Sequence, residues 1–234
     1  MEYQLALNKT LLIYPFLLSK IKTTYSRYNY VLVFKGCKKY FHLVFFIGLL
    51  FAVISATAQD AFFNSLSDAA IELTKQKVTY NPEYFKLNYP NGDIPADKGV
   101  CTDVIIRAYR KLGVDLQKKV HEDMKRNFNA YPKKWGMRTT DTNIDHRRVP
   151  NLMTFFKRQK ASMPISENAY DYKPGDVVTW DILGGAVHIG IVINKKSADN
   201  RRYLIVHNIG YGQEISDCLF MNKITGHYRY KKTK

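Results

Sequence analysis

The period of the chain changes at Pro174-Gly175, and no other feature restricts the fold as much. After that turn, "DVVTW", "HIGIVIN" and "RRYLIVHNIG" are short runs rich in β-branched residues, broken by the flexible "LGGAV" and a polar turn from Lys195 to Asn200. A last run, "GHYRYKK", closes the chain. Before the turn, apolar residues recur every three to four positions. Phe62, Leu66, Ala69, Ala70 and Leu73 mark one amphipathic helix within residues 60–77. Val104, Ile105, Ala108, Tyr109 and Leu112 mark a second, which Gly113 stops. A third is predicted from Leu116 to Phe128, and Pro150 is placed to start a short fourth through Gln159. Helices first and an antiparallel meander second define an α+β domain. Between the first two helices, Val78 to Gly99 is rich in Pro, Gly, Asn and Asp and reads as a long loop, a kind of segment that often carries function.

The N-terminal quarter has a different character. "FKGCKKYFHLVFFIGLLFAVISATAQD" runs from Lys35, Lys38 and Lys39 through an apolar stretch, Leu43 to Ile54, to Ala56-Thr57-Ala58. These are the three parts of a secretory signal peptide, with cleavage after Ala58. The apolar stretch falls short of the ~20 residues of a bilayer span, and an uncleaved membrane anchor is the competing reading. Residues 1–34 are more than a leader's basic region needs, which points to translation starting near Val31 or Val33. The expected division is therefore an extension plus signal over 1–58 and a single domain over 59–234. That domain is expected outside the cytoplasm, in the periplasm or beyond, meeting the membrane only during export, and as a monomer.

The 234 residues carry 36 Lys+Arg against 20 Asp+Glu, and the excess persists after residue 58. A basic exported protein is drawn to polyanions such as cell-wall polymers, although a merely soluble basic surface reads the same way. The cations are scattered and no nucleic-acid motif accompanies them, which argues against DNA or RNA as partner. There is no G-x-S-x-G, P-loop, H-E-x-x-H or dinucleotide fingerprint. His121, Glu122 and Asp123 are consecutive on a helix and face different ways, so no metal is expected, nor any cofactor.

Cys101 opens the second helix in "GVCTDVIIRAYR". Unsatisfied N–H groups at a helix start favour a thiolate, and a nearby histidine lowers such a thiol further, which suits a nucleophile. Its own N–H is placed to donate to an oxyanion. A cysteine hydrolase also needs a base and an orienting group. His188 begins "HIGIVIN", at the mouth of the sheet, and His207 lies in the neighbouring strand, with Asn208 exchanged for it by a one-residue shift of register. Two other fates compete for Cys101: a disulfide with Cys218, the other cysteine after residue 58, and an inert core position.

With these residues in view, "GVCTDVIIRAYRKLG", "KPGDVVTWDILGGAVHIGIVIN" and "YLIVHN" resemble the NlpC-type branch of the papain-like cysteine hydrolases. More narrowly, "GVCTDV", "VHEDM", "NIDHRRVPNL" and "PGDVVTW" resemble the bacterial domain-of-unknown-function family 1287, from about Val78 to the C-terminus. The resemblance implies a papain-like fold, with the cysteine heading a helix packed on a β-meander. It implies Cys101 as nucleophile, His188 as base and His207 as orienting residue, acting as an amidase or endopeptidase on peptidoglycan peptides. The wider branch has Ser and then a small residue after the cysteine, where this chain has Thr102 and Asp103. A non-catalytic envelope-binding module of the same fold is the alternative.

Further candidates are weaker. Asp103 reads either as a carboxylate favoured by the helix dipole or as a contact for a substrate amine. Asp145, His146, Arg147 and Arg148 read as a grip on substrate carboxylates or as an internal salt-bridge staple. Tyr89 and Trp135, with Tyr84, read as aromatic cleft walls or as core.

Overall fold

The computed structural model describes residues 61–231 apart from Leu183. The expected signal peptide, and its cleavage after Ala58, lie outside the described residues. Among them, no helix is long and apolar enough to cross a membrane.

Helix α1 covers residues 61–73 and buries Phe63, Leu66, Ala70 and Leu73. Two short parallel strands, β1 (Thr79–Tyr80) and β2 (Lys98–Gly99), then clasp the base of the long loop between them. Helix α2 (Cys101–Lys111) follows at once and buries the expected Val104, Ile105, Ala108 and Tyr109. It stops where Gly113 takes φ 73°, and the N–H groups of Gly113 and Val114 return to the carbonyls of Arg110 and Tyr109. Helix α3 (Leu116–Arg126) is capped by Asp115, which accepts from the Lys118 N–H, and ends two residues before the predicted Phe128. Helix α4 (Val149–Arg158) starts one residue before the predicted Pro150, which lies in its first turn.

The second half is one antiparallel sheet in the order β6-β5-β4-β3-β7. Its strands are β3 (Val177–Ile182), β4 (Ala186–Lys196), β5 (Tyr203–His207), β6 (Glu214–Ser216) and β7 (Lys223–Tyr228). The first four form the expected meander. The last returns to the other edge and pairs with β3, and the three-residue β6 was not anticipated. Alternation along β4 sends Ile189, Ile191 and Ile193 into the main core with the helices, while Val192 joins Val178, Trp180, Ile205 and Tyr172 in a smaller cluster on the opposite face. Each fully buried aliphatic side chain in these layers is worth about 1.5–3 kcal/mol. The arrangement expected of a papain-like domain, a helix headed by cysteine and packed on an antiparallel sheet, is the one observed.

Candidate active site

The site forms where the β2–α2 junction meets the ends of β4 and β5. The β4–β5 ladder begins at Ile191 opposite Val206. Next to it, Asn208 Nδ2 donates to the Gly99 carbonyl at 3.2 Å, and its Oδ1 accepts from the N–H groups of Gly210 and Gly212. Asn208 thus ties β5 to the start of α2. The Cys101 sulfur faces the backbone N–H groups of Thr102, Ile189 and Cys101 itself. It therefore lies level with Ile189, one residue along β4 from His188.

His188 and His207 come together as expected. His188 Nε2 and His207 Nδ1 are 2.9 Å apart, with the rings edge to face. Both side chains are buried. Trp180, the register partner of His188, tilts against its ring with centroids 6.0 Å apart and is itself anchored by Nε1–H to the Leu219 carbonyl. Gly190 provides the space for this pair. A Cβ there would stand 2.6 Å from Ile205 Cγ2 and 3.2 Å from His207 Cβ. Among the hydrogen bonds of the described residues, none joins Cys101 to His188.

The expected low-pKa thiolate is not what the site provides. Burial, and then the Asp103 carboxylate, push the Cys101 thiol up to about 12, outweighing the N–H groups that draw it down. Burial, and then the neighbouring His207, hold His188 down to about 4. At rest the Cys101 thiol and the His188 imidazole are thus both held neutral.

The disulfide that competes with the nucleophile role is not formed. Cys101 and Cys218 are both free, Cys101 in the main core and Cys218 against the smaller cluster on the other face of the sheet.

Asp103 and Arg147 are spent on each other rather than on a ligand. Arg147 Nε and Nη2 donate to Asp103 Oδ1 and Oδ2 at 3.0 and 3.1 Å, with side chains 2% and 3% exposed. Asp103 Oδ2 also accepts from the Val100 N–H, and Thr102 Oγ1 donates to the Arg147 carbonyl. The staple reading holds, and it fixes the turn that presents Cys101. Asp145 is fully buried, bonded to His121 Nδ1 and the Asp141 N–H. His146 is buried as well, held down to about 3 by burial and then by Arg147. Neither reaches solvent, so the expectation that they touch substrate gives way to a packing role. Arg148 stacks its guanidinium on Trp135 at 4.3 Å and bonds to Met137 Sδ. Trp135 and Tyr89 remain on the surface, Tyr89 against the His121 ring.

Two residues near the site escaped the sequence reading. Tyr80 on β1 is raised by burial and then by Cys101 and Asp103, and it also lines a cleft of about 470 Å³ with Lys77, Tyr211 and Gln213. Glu214 on β6 is the register partner of His207. The turn-rich stretch 208–213 before it is the one sequence signal of a further strand there.

The chain belongs to the family described as "Domain of unknown function (DUF1287)", whose model matches residues 67–230. It is 48% identical over 166 residues to the uncharacterized protein YijF of Escherichia coli K12, covering 71% of this chain and 80% of that one. Two crystal structures of an N-acetylmuramoyl-L-alanine amidase from Bacteroides uniformis overlap with 16% and 13% identity and TM-scores of 0.44 and 0.42, covering 72% and 74% of this chain and 97% and 100% of theirs. NlpC1 of Trichomonas vaginalis overlaps with 15% identity and a TM-score of 0.38, over 71% of this chain and 44% of the longer NlpC1 chain. These structural overlaps are partial, and family membership rests on the sequence match.

Proposed function

We propose that the protein is an exported cysteine amidase or endopeptidase that cleaves an amide bond of peptidoglycan peptides. The observation that carries this reading is the 2.9 Å bond between His188 Nε2 and His207 Nδ1, set one residue along β4 from the strand N–H that the Cys101 sulfur faces. That bond leaves Nδ1 of His188 as the base. Catalytic hydrogen bonds are often long before substrate binds, so the missing Cys101–His188 bond is compatible with the role.

The chemistry follows from the neutral resting pair. As Cys101 Sγ attacks the amide carbon, its proton passes to His188 Nδ1, and the Cys101 N–H faces the developing oxyanion. The C–N bond breaks and the amine leaves with the proton from His188. Water then attacks the thioester, giving a proton to His188, which returns it to the departing Cys101 sulfur. The free acid is released and the thiol restored. No step needs a cofactor.

A non-catalytic envelope-binding module is the second reading, favoured by a thiol pushed up to about 12 and unbonded to His188. Digestion of purified peptidoglycan by the wild-type protein, Cys101→Ala and His188→Ala separates the two. Hydrolysis predicts new amine and carboxyl termini in the wild-type digest alone. Equal retention of intact polymer by all three, with no new termini, supports the binding module.

A further inference from the structure

We infer that Glu214 is a fourth, positioning member of the site, which sets the tautomer of His207 and through it that of His188. The inference rests on the reading of His188 as base. His207 and Glu214 are directly opposite on β5 and β6, so their side chains leave the same face. Glu214 Oε1 stands 3.8 Å from His207 Nε2. That nitrogen is buried and has no hydrogen-bond partner, whereas Nδ1 is taken by His188. Glu214 is half-buried at the sheet edge, and a small rotation of its side chain closes the remaining distance to a hydrogen bond.

A neutral imidazole carries one donor and one acceptor, and a carboxylate only accepts. Facing Glu214, His207 is therefore favoured with its proton on Nε2, which leaves a lone pair on Nδ1. His188 must then donate from Nε2, which puts its own lone pair on Nδ1, where a proton from Cys101 is received. The opposite arrangement reverses both bonds. His207 would turn a lone pair toward the carboxylate, and His188 would carry a proton on Nδ1 and be useless as a base. Glu214 thus decides the direction of the whole relay without touching substrate. The same carboxylate raises His207 against the lowering effect of burial.

The test is a two-bond ¹H–¹⁵N imidazole spectrum of the full chain at pH 8, for the wild-type protein, Glu214→Ala, Glu214→Gln and Glu214→Asp. The expected wild-type result is the Nε2–H form at both His188 and His207. Glu214→Ala should give mixed tautomers at both rings, with kcat on peptidoglycan fragments lower in proportion to the fraction of His188 that carries its proton on Nδ1, and KM unchanged. Glu214→Asp keeps the charge but is one methylene shorter, and should restore the Nε2–H forms only in part. An Nδ1–H form of His207 in the wild-type protein overturns the inference, whether or not the variants fold. So do tautomers unchanged in both Glu214→Ala and Glu214→Gln. Tautomers that shift in a wild-type protein without hydrolytic activity would refute the hydrolase reading and leave the role of Glu214 standing.

Discussion

Replacing Arg147 with alanine should cost the protein about 3–5 kcal/mol, the range for removing one partner of a buried ion pair. The change deletes both bonds to Asp103 and a third, from Nη1 to the Glu83 carbonyl. Asp103 would then keep only the Val100 N–H among these partners, with its side chain 3% exposed. Bonds to charged groups are each worth about 1.5–3 kcal/mol, so the loss of three is enough to account for the range. In a domain of this size about 2–4 °C of Tm is lost per kcal/mol, giving a drop of about 6–20 °C. Urea unfolding followed by circular dichroism measures it, alongside Asp103→Asn and the double variant Asp103→Asn/Arg147→Met. The double variant should be more stable than Arg147→Ala, because no charge is left buried alone. An Arg147→Ala protein within about 0.5 kcal/mol of wild type, with its loss confined to the KM for wall peptides, would refute the staple and return Arg147 to substrate binding.

Three further outcomes follow from the site. Iodoacetamide should label Cys101 more slowly at pH 7 than a free cysteine by about three thousandfold, the ratio of thiolate fractions for thiols near 12 and near 8.5; a labelling midpoint below pH 8 would contradict the raised thiol. His188 and His146 are held to about 4 and about 3, so the unfolded chain gains protons below pH ~6.5 that the folded protein refuses. Stability is thus full above that pH and falls as pH drops toward 4, on the order of 3 kcal/mol for His188 alone; His146→Gln should flatten the slope, and an unchanged slope would discount His146. Gly190→Ala should destabilise by about 1–3 kcal/mol and displace His207; a crystal structure of the variant with the 2.9 Å histidine contact intact would refute the spacer role.

The features legible in the sequence are those with a local period or a fixed neighbour. Ile189, Ile191 and Ile193 alternate, and alternation is the strand signal. Cys101 followed by a three-to-four apolar rhythm is a helix start, and two histidines in adjacent runs are bound to be neighbours if the runs pair. Other features depended on contacts that no window of sequence contains. Asp103 and Arg147 are 44 residues apart, and only the folded turn at Asp145–Arg147 shows that they neutralise each other. The return of β7 to β3 is a choice between two sheet edges that periodicity leaves equal. The charge state of Cys101 was misread because the helix-start argument sees the N–H groups and not the depth of burial, and burial won. Glu214 was overlooked because a three-residue strand has too little alternation to register.

The most direct test of the central claim is to mix wild-type protein with a soluble peptidoglycan fragment, quench in acid within milliseconds to seconds, and read the Cys101 peptide by mass spectrometry. The account predicts a transient acyl adduct on Cys101, absent from Cys101→Ala, whose mass identifies the peptide on the acyl side of the bond cut. Turnover of the fragment by Cys101→Ala at the wild-type rate, or hydrolysis with no adduct on Cys101 at any quench time, would contradict it.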